Sequence, residues 1–276
     1  MNKLESQMIT LLTELRDHYN VRGIKAEFEA EGTRIEEAMR LKDVTSKAGL
    51  GLNIKIGGCE AIKDMLDAYC LGTDRIIAPM VETPYALQKF IKAAQMVYKE
   101  TMEVVDLLIN IETETAYKNF SDMLKVPEIK HLNGIVIGRV DMVGSLGLNR
   151  DSVNNDKILQ MSLDLAAKAK DKGLDVVVGG GVSIDAFPFF KAFPAGHLDR
   201  FETRKVIFNC PAALNNPEIA FLKAAEFELM WLKNKQNYYN AIACEDNDRI
   251  QMLEQRYANS SKKLHSQTQE KTVAQS

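Results

Sequence analysis

From Ile24 onward the chain repeats one pattern. A short apolar or alternating run stops at a glycine, a proline or a carboxylate. A segment with apolar residues every three to four positions then follows. The runs are residues 24 to 31, Leu52 to Ile56, Arg75 to Ala78, Leu107 to Ile111, Gly134 to Gly138, Asp175 to Val178 and Arg200 to Phe208. Strand followed by helix, repeated, dictates right-handed crossovers and a parallel sheet. Most of the runs are too continuously apolar to leave one sheet face in water, so helices must cover them. A closed (β/α)8 TIM barrel of parallel strands fits the 276 residues. Seven runs are clear, and the eighth strand is sought in the short piece Asn20 to Gly23. An open, doubly wound sheet is the alternative, although no GxGxxG follows the first strand.

The flanks are helical and polar. Leu4, Met8, Leu11, Leu12, Leu15 and Tyr19 recur at helical spacing, which predicts an N-terminal helix within residues 1–22. Ile35, Ala38, Met39 and Leu41 are expected on the inner face of the first barrel helix. A helix is expected over Glu218 to Tyr239, with Ile219, Leu222, Phe227, Met230 and Trp231 on its apolar side, continuing to about Tyr257. The barrel with this helix is assigned to residues 23–257. Residues 258–276 are rich in Ser, Lys, Gln and Thr, which predicts a disordered polar tail. A net charge of −3 gives no basic signature for nucleic acid or an anionic membrane. No apolar run approaches the length of a span, and the first residues lack a signal-peptide layout. Four irregularly spaced cysteines read as reduced, small hydrophobes. A cytoplasmic protein is expected.

A barrel gathers its strand ends on one face. Here they supply Glu29 or Glu31, Lys55, Glu82, Glu112, Asp141 and Gly179 to Gly181. Glu112 and Asp141, at the ends of consecutive strands, can share a hard divalent cation such as Mg²⁺ or Mn²⁺. The four histidines His18, His131, His197 and His265 occupy no such position, which argues against zinc. Gly144 and Gly147 are expected to hold open a tight loop beyond Asp141. Lys55 is either a counter-ion for the Glu27–Glu31 row or a substrate-directed cation; a Schiff-base lysine is a further option at a barrel strand end. Glu82 suits the start of a helix. Gly180 and its neighbours either offer amides to an anion or permit a tight turn. Arg200, Glu202 and Arg204 alternate on one face and are expected to ion-pair with the Glu27–Glu31 row inside the barrel.

Three stretches now matter together: Pro79-Met80-Val81-Glu82, Asn110-Ile111-Glu112-Thr113, and Ile137-Gly138-Arg139-Val140-Asp141 with Gly144-Ser145-Leu146-Gly147. In these the chain resembles the HpcH/HpaI aldolase and citrate lyase beta-subunit family of the pyruvate/phosphoenolpyruvate barrels. The resemblance implies a metal-dependent carbon–carbon lyase, with Mg²⁺ or Mn²⁺ held by Glu112 and Asp141. It implies a pyruvate-type 2-oxo acid as one substrate and an aldehyde or acyl compound as the other. Backbone amides around Arg139 and Val140 would receive the substrate carboxylate, while the Arg139 side chain braces the strand end. Lys55 falls where the family has an arginine, which exchanges a bidentate fork for a point charge, and Asn110 falls where it often has glutamine. The family's histidine base is absent, because that region reads Glu29-Ala30-Glu31; Glu29 or Glu31 is expected to replace it. The alternatives are a citrate-lyase-like acyl-CoA lyase and a catalytically degenerate barrel serving as a binding or scaffold protein. The resemblance also implies a homo-oligomer, trimer or hexamer.

Overall fold

The structure, a computed structural model, describes the backbone of residues 1–215 and 217–273 and the side chains as far as Ser261. Eight strands close one barrel in chain order: β1 Val21–Glu27, β2 Gly51–Lys55, β3 Arg75–Ala78, β4 Asp106–Ile111, β5 Gly134–Gly138, β6 Asp175–Gly179, β7 Arg200–Glu202 and β8 Val206–Asn209. β1 through β7 pair in parallel. β8 does not, and this corrects the all-parallel expectation. It runs antiparallel to both β7 and β1. The reason lies in Thr203-Arg204-Lys205, which splits the run Arg200 to Phe208 into a hairpin. Three residues can reverse a chain but cannot make a parallel crossover. The eighth strand is therefore the second half of that run, and Asn20 to Gly23 is instead the turn and start of β1.

Helix α1, Lys3–Tyr19, begins with a capping box in which Asn2 and Glu5 satisfy each other's backbone donors. It buries Met8, Leu11, Leu12 and Leu15. The strands are then followed by α2 Ile35–Lys47, α3 Ile62–Leu71, α4 Pro84–Tyr98, α5 Glu114–Met123, α6 Arg139–Ser145, α7 Asp156–Lys170 and α8 Phe187–Lys191. In α2 the inner face is Ala38, Leu41 and Val44; Ile35 and Met39 point out, because Leu41 and Val44 fix the stripe one step round the helix. Outside β7 and β8, Phe201 stacks on Phe208 and Phe190, each pair of centroids 4.9 Å apart.

Inside the barrel, alternate residues of each strand point to the axis. Ile77, Leu108, Val136 and Val177 form an apolar layer, each at most 2 % exposed. Two residues earlier on β3, β4 and β6 come Arg75, Asp106 and Asp175; two residues later on β4, β5 and β6 come Asn110, Gly138 and Gly179.

The last helix, α9 Pro217–Val273, is longer than the sequence predicts. The chain divides into two compact units, residues 1–230 and 231–276. The first holds the barrel and the opening turns of α9, where Ala220, Ala224 and Phe227 face inward while Ile219 and Leu222 are exposed. The second holds the rest of α9, whose residues 241–260 are all exposed. Helix is assigned through Val273, across most of the stretch expected to be a tail; residues 274–276 lie outside those described. Among the described residues no helix is long and apolar enough to cross a membrane.

Candidate active site

The C-terminal strand ends surround a cavity of about 680 Å³. Its wall carries six carboxylates, Glu27, Glu29, Glu112, Asp141, Glu202 and Glu228, against four cations, Lys25, Lys55, Arg150 and Arg204. Three of those cations already have acidic partners. Lys25 Nζ lies 2.6 Å from Glu202 and 3.1 Å from Glu27. Lys55 Nζ lies 2.8 Å from Glu29 and 3.7 Å from Glu112. Arg204 lies 3.0 Å from Glu31. The cavity therefore holds two more acids than bases, an imbalance that favours a bound cation.

Glu112 is the best-supported member of the group. It follows the last residue of β4 and is 1 % exposed. Its Oε1 accepts from the Met80 N–H at 3.0 Å, and its Oε2 accepts from the Asn110 side-chain amide at 2.7 Å. Met80 aims that N–H from a left-handed backbone, φ 50°, a strained conformation of the kind found at functional sites. Gly138 makes room for the carboxylate: a Cβ there would sit 2.7 Å from both Cβ and Oε2 of Glu112. Burial, opposed in part by Lys55, Met80 and Asn110, holds Glu112 above the usual carboxylate range, and the charge of Asp141 adds to the rise.

Asp141 belongs to the first turn of α6 rather than to an open loop. The chain passes from β5 straight into that short helix, whose end carries Gly144 and whose exit turn carries Gly147 at φ 68°. Asp141 is exposed to the same cavity that Glu112 lines. Asn110 lines it as well, and its Oδ1 is buried without a partner.

The two lysines are both protonated. Burial alone would lower Lys55, but Glu112 and Glu29 overcome it and raise its pKa. Lys25 behaves alike, with Glu202 and Glu27 outweighing burial. Glu29 and Glu31, equivalent in the sequence, separate here. Glu29 lines the cavity and pairs with Lys55. Glu31 stands outside the lining, tied to Lys205 at 2.6 Å and to Arg204; these outweigh burial and hold it below its usual range. Val140 and Gly180 line the cavity. The Arg139 side chain does not; it turns away and stacks on Phe189 and Phe190. Glu82 accepts from the Thr113 hydroxyl at 2.6 Å and also stands outside the lining.

Sequence reasoning passed over Lys25, Glu27, Glu202 and Glu228 as site residues. Lys25 and Glu27 share the inward face of β1, and the period-two pattern already put them with Glu29. Of the row Arg200, Glu202 and Arg204, only Arg204 meets the Glu27–Glu31 row, at Glu31; Glu202 pairs with Lys25, and Arg200 points to the other end of the barrel and pairs with Asp175. Glu228 is brought in by α9, where it accepts from the Thr203 hydroxyl and the Lys205 N–H; no local signal links residues so far apart.

The chain is a closed α/β barrel that gathers carboxylates and a lysine at its C-terminal strand ends. The chain belongs to the HpcH/HpaI aldolase/citrate lyase family, whose model matches residues 33–186. A search of curated proteins finds no significant sequence match. Solved structures share the fold at low identity. An HpcH/HpaI aldolase from Desulfitobacterium hafniense DCB-2 is 12% identical at a TM-score of 0.56, over 69% of this chain and 79% of that one. An HpcH/HpaI aldolase/citrate lyase family protein from Burkholderia cenocepacia J2315 is 15% identical at 0.56, over 68% and 80%. Macrophomate synthase is 14% identical at 0.52, over 68% and 72%.

Proposed function

We propose that this chain is a divalent-metal-dependent carbon–carbon lyase acting on a pyruvate-type 2-oxo acid, with an aldehyde as second reactant. The observation that carries this reading is the meeting of Glu112 and Asp141 in one carboxylate-rich cavity beside Lys55. Their hard oxygens fit Mg²⁺ or Mn²⁺, which accept two protein carboxylates and take their other ligands from water and substrate. No group of three His, Cys, Asp or Glu side chains able to hold a metal occurs among the described residues, so this reading rests on two carboxylates alone. The buried, unpartnered Asn110 Oδ1 also suits a bound, hydrated group. When bound, the cation supplies Lewis-acid stabilisation of the negative charge that develops on a 2-oxo acid.

The chain's own residues supply the rest. Lys55, held protonated by Glu112 and Glu29, presents a fixed positive charge to the developing oxyanion. A protonated lysine is a poor amine nucleophile, which favours this role over a Schiff base. Glu29 is the base of this reading. It reaches the cavity, whereas Glu31 is held by two cations, and its pairing with Lys55 couples proton acceptance to charge stabilisation. Amides at Arg139 and Val140, with Gly180 against them, orient the substrate carboxylate. A cytoplasmic location and a trimeric or hexameric assembly complete the reading; sedimentation tests the assembly.

The direct test is cleavage or condensation of pyruvate with a panel of aldehydes, with and without EDTA. Activity that needs Mg²⁺ or Mn²⁺ supports the proposal, and activity undiminished in EDTA overturns it. Turnover of acyl-CoA compounds alone would move the chain to the citrate-lyase side of the family. Failure to bind oxalate with or without metal would make it a degenerate barrel.

A further inference from the structure

Among the described residues Arg139 is the largest fully buried side chain, at 0 % exposure. Among the described residues its guanidinium has no carboxylate partner. Nε donates to the Gly179 carbonyl at 3.2 Å, Nη1 donates to Asn154 Oδ1 at 2.5 Å, and Nη2 has no partner. The rings of Phe189 and Phe190 lie 4.7 Å and 5.3 Å from its centre. A guanidinium keeps its charge at neutral pH. A buried charge without a counter-ion is costly, and such groups are normally paired. A neutral donor would suffice to tie Gly179 to Asn154.

The charge stands behind one wall of the cavity. Gly138, Val140, Gly179 and Gly180 line that wall, and Gly179 is the residue whose carbonyl Arg139 holds. Gly180 packs so closely that a Cβ there would lie 2.8 Å from the Val140 nitrogen and 2.9 Å from the Arg139 nitrogen. The opposite side of the cavity is acidic and its cations Lys25 and Lys55 are engaged; the other lining cations are Arg204, paired with Glu31, and the solvent-exposed Arg150. We propose that Arg139 is a positioning residue whose uncompensated charge, delivered from behind this wall, selects where the anionic end of the ligand sits. The inference rests on the 2-oxo acid reading above. It goes beyond that reading by assigning the side chain, not the backbone, of Arg139 a part in anion binding without contact.

The test adds a counter-charge and leaves Arg139 in place. Asn154→Asp keeps the Nη1 hydrogen bond and both ring contacts while neutralising the guanidinium. Oxalate is titrated calorimetrically into the wild type, Asn154→Asp and Arg139→Met, each with Mg²⁺, and Mg²⁺ alone is titrated in parallel. Asn154→Asp is expected to melt at or above the wild-type temperature yet bind oxalate about tenfold more weakly. Arg139→Met is expected to lose a similar factor, while Mg²⁺ alone, which the same charge repels, binds no more weakly in either variant. If Asn154→Asp binds oxalate as tightly as the wild type, the charge has no such role and Arg139 is a structural clamp. Should Arg139→Met fail to fold, Asn154→Asp decides alone. A wild type that does not bind oxalate with Mg²⁺ overturns the 2-oxo acid reading, and this inference falls with it.

Discussion

Both ends of the barrel interior are charged, and they handle the charge differently. At the N-terminal end two buried or half-buried arginines have their own acids: Arg75 lies 2.9 Å from Asp106 and Arg200 lies 2.6 Å from Asp175. The cavity there, about 420 Å³, has three cations, Arg22, Lys42 and Arg75, against three acids, Asp74, Glu103 and Asp106. At the C-terminal end six acids face four cations. Between the two lies the apolar layer of Ile77, Leu108, Val136 and Val177, which shields each end from the other. A balanced end closes a barrel. An end with surplus carboxylate is less favourable by itself, and the cation proposed above would offset that surplus.

The largest expected effects come from removing that surplus. Glu112→Gln and Asp141→Asn should each weaken Mg²⁺ or Mn²⁺ binding by roughly a hundredfold or more. They should also lower turnover by at least two to three orders of magnitude. Calorimetry and initial rates check both. Wild-type metal affinity in either variant would put the metal elsewhere and dissolve the contrast between the ends. Lys55→Met should leave metal affinity within a few-fold and cost roughly 10² to 10³ in kcat, as for loss of one preorganised donor. Persistence of full activity would reassign Lys55 as the counter-ion of Glu29 and Glu112.

A third prediction uses proton competition. Burial and Asp141 raise the pKa of Glu112, so its proton competes with the metal above the ordinary carboxylate range of about 4. Metal affinity should therefore be full above that raised pKa and fall as pH drops through it. In Asp141→Asn one source of the rise is gone, and the weaker remaining affinity should fall only at lower pH. Stability carries the opposite sign for this group, because a carboxylate with a raised folded pKa favours the native state more on the acid side. Glu31, held low by Lys205 and Arg204, works the other way. Its contribution is complete above the unfolded value and is lost as pH falls through the depressed one.

How far the sequence reveals this arrangement depends on whether the information is local. The strand runs, their helices and the carboxylates at Glu112 and Asp141 are local patterns, and the structure places them at strand ends on one cavity. β8 was hidden because a hairpin of two short strands reads as one run until the polar break Thr203-Arg204-Lys205 is taken as a turn. Glu29 and Glu31 were inseparable by spacing; only the return of the β7–β8 turn, carrying Arg204 and Lys205, distinguishes them. A tight loop is expected beyond Asp141 because Gly144 and Gly147 suggest one, yet residues 139–145 close a short helix that includes Asp141 itself. The Arg139 side chain is read from the sequence as a brace for the strand end, and it does hold the Gly179 carbonyl at the end of β6, but its burial against Phe189 and Phe190 requires contacts no periodicity predicts.

The smallest effect is expected at the balanced end, and it is the one that isolates the comparison. Asp175→Asn removes the partner of Arg200, whose side chain is 9 % exposed, while Asp175 itself is 41 % exposed. Solvent screens an acid that accessible, which limits the loss to about 1 kcal/mol, the upper range for exposed pairs, despite the burial of the arginine. For a chain of this size that lowers the melting temperature by about 2–4 °C. Mg²⁺ affinity and turnover should stay within twofold, because the Ile77 layer separates Asp175 from Glu112. A melting shift without a change in metal binding means that pairing at this end serves closure alone. Loss of metal affinity in Asp175→Asn would instead mean that the two charged ends are coupled through the barrel, and the distinction between a closing end and a ligand-binding end would fail.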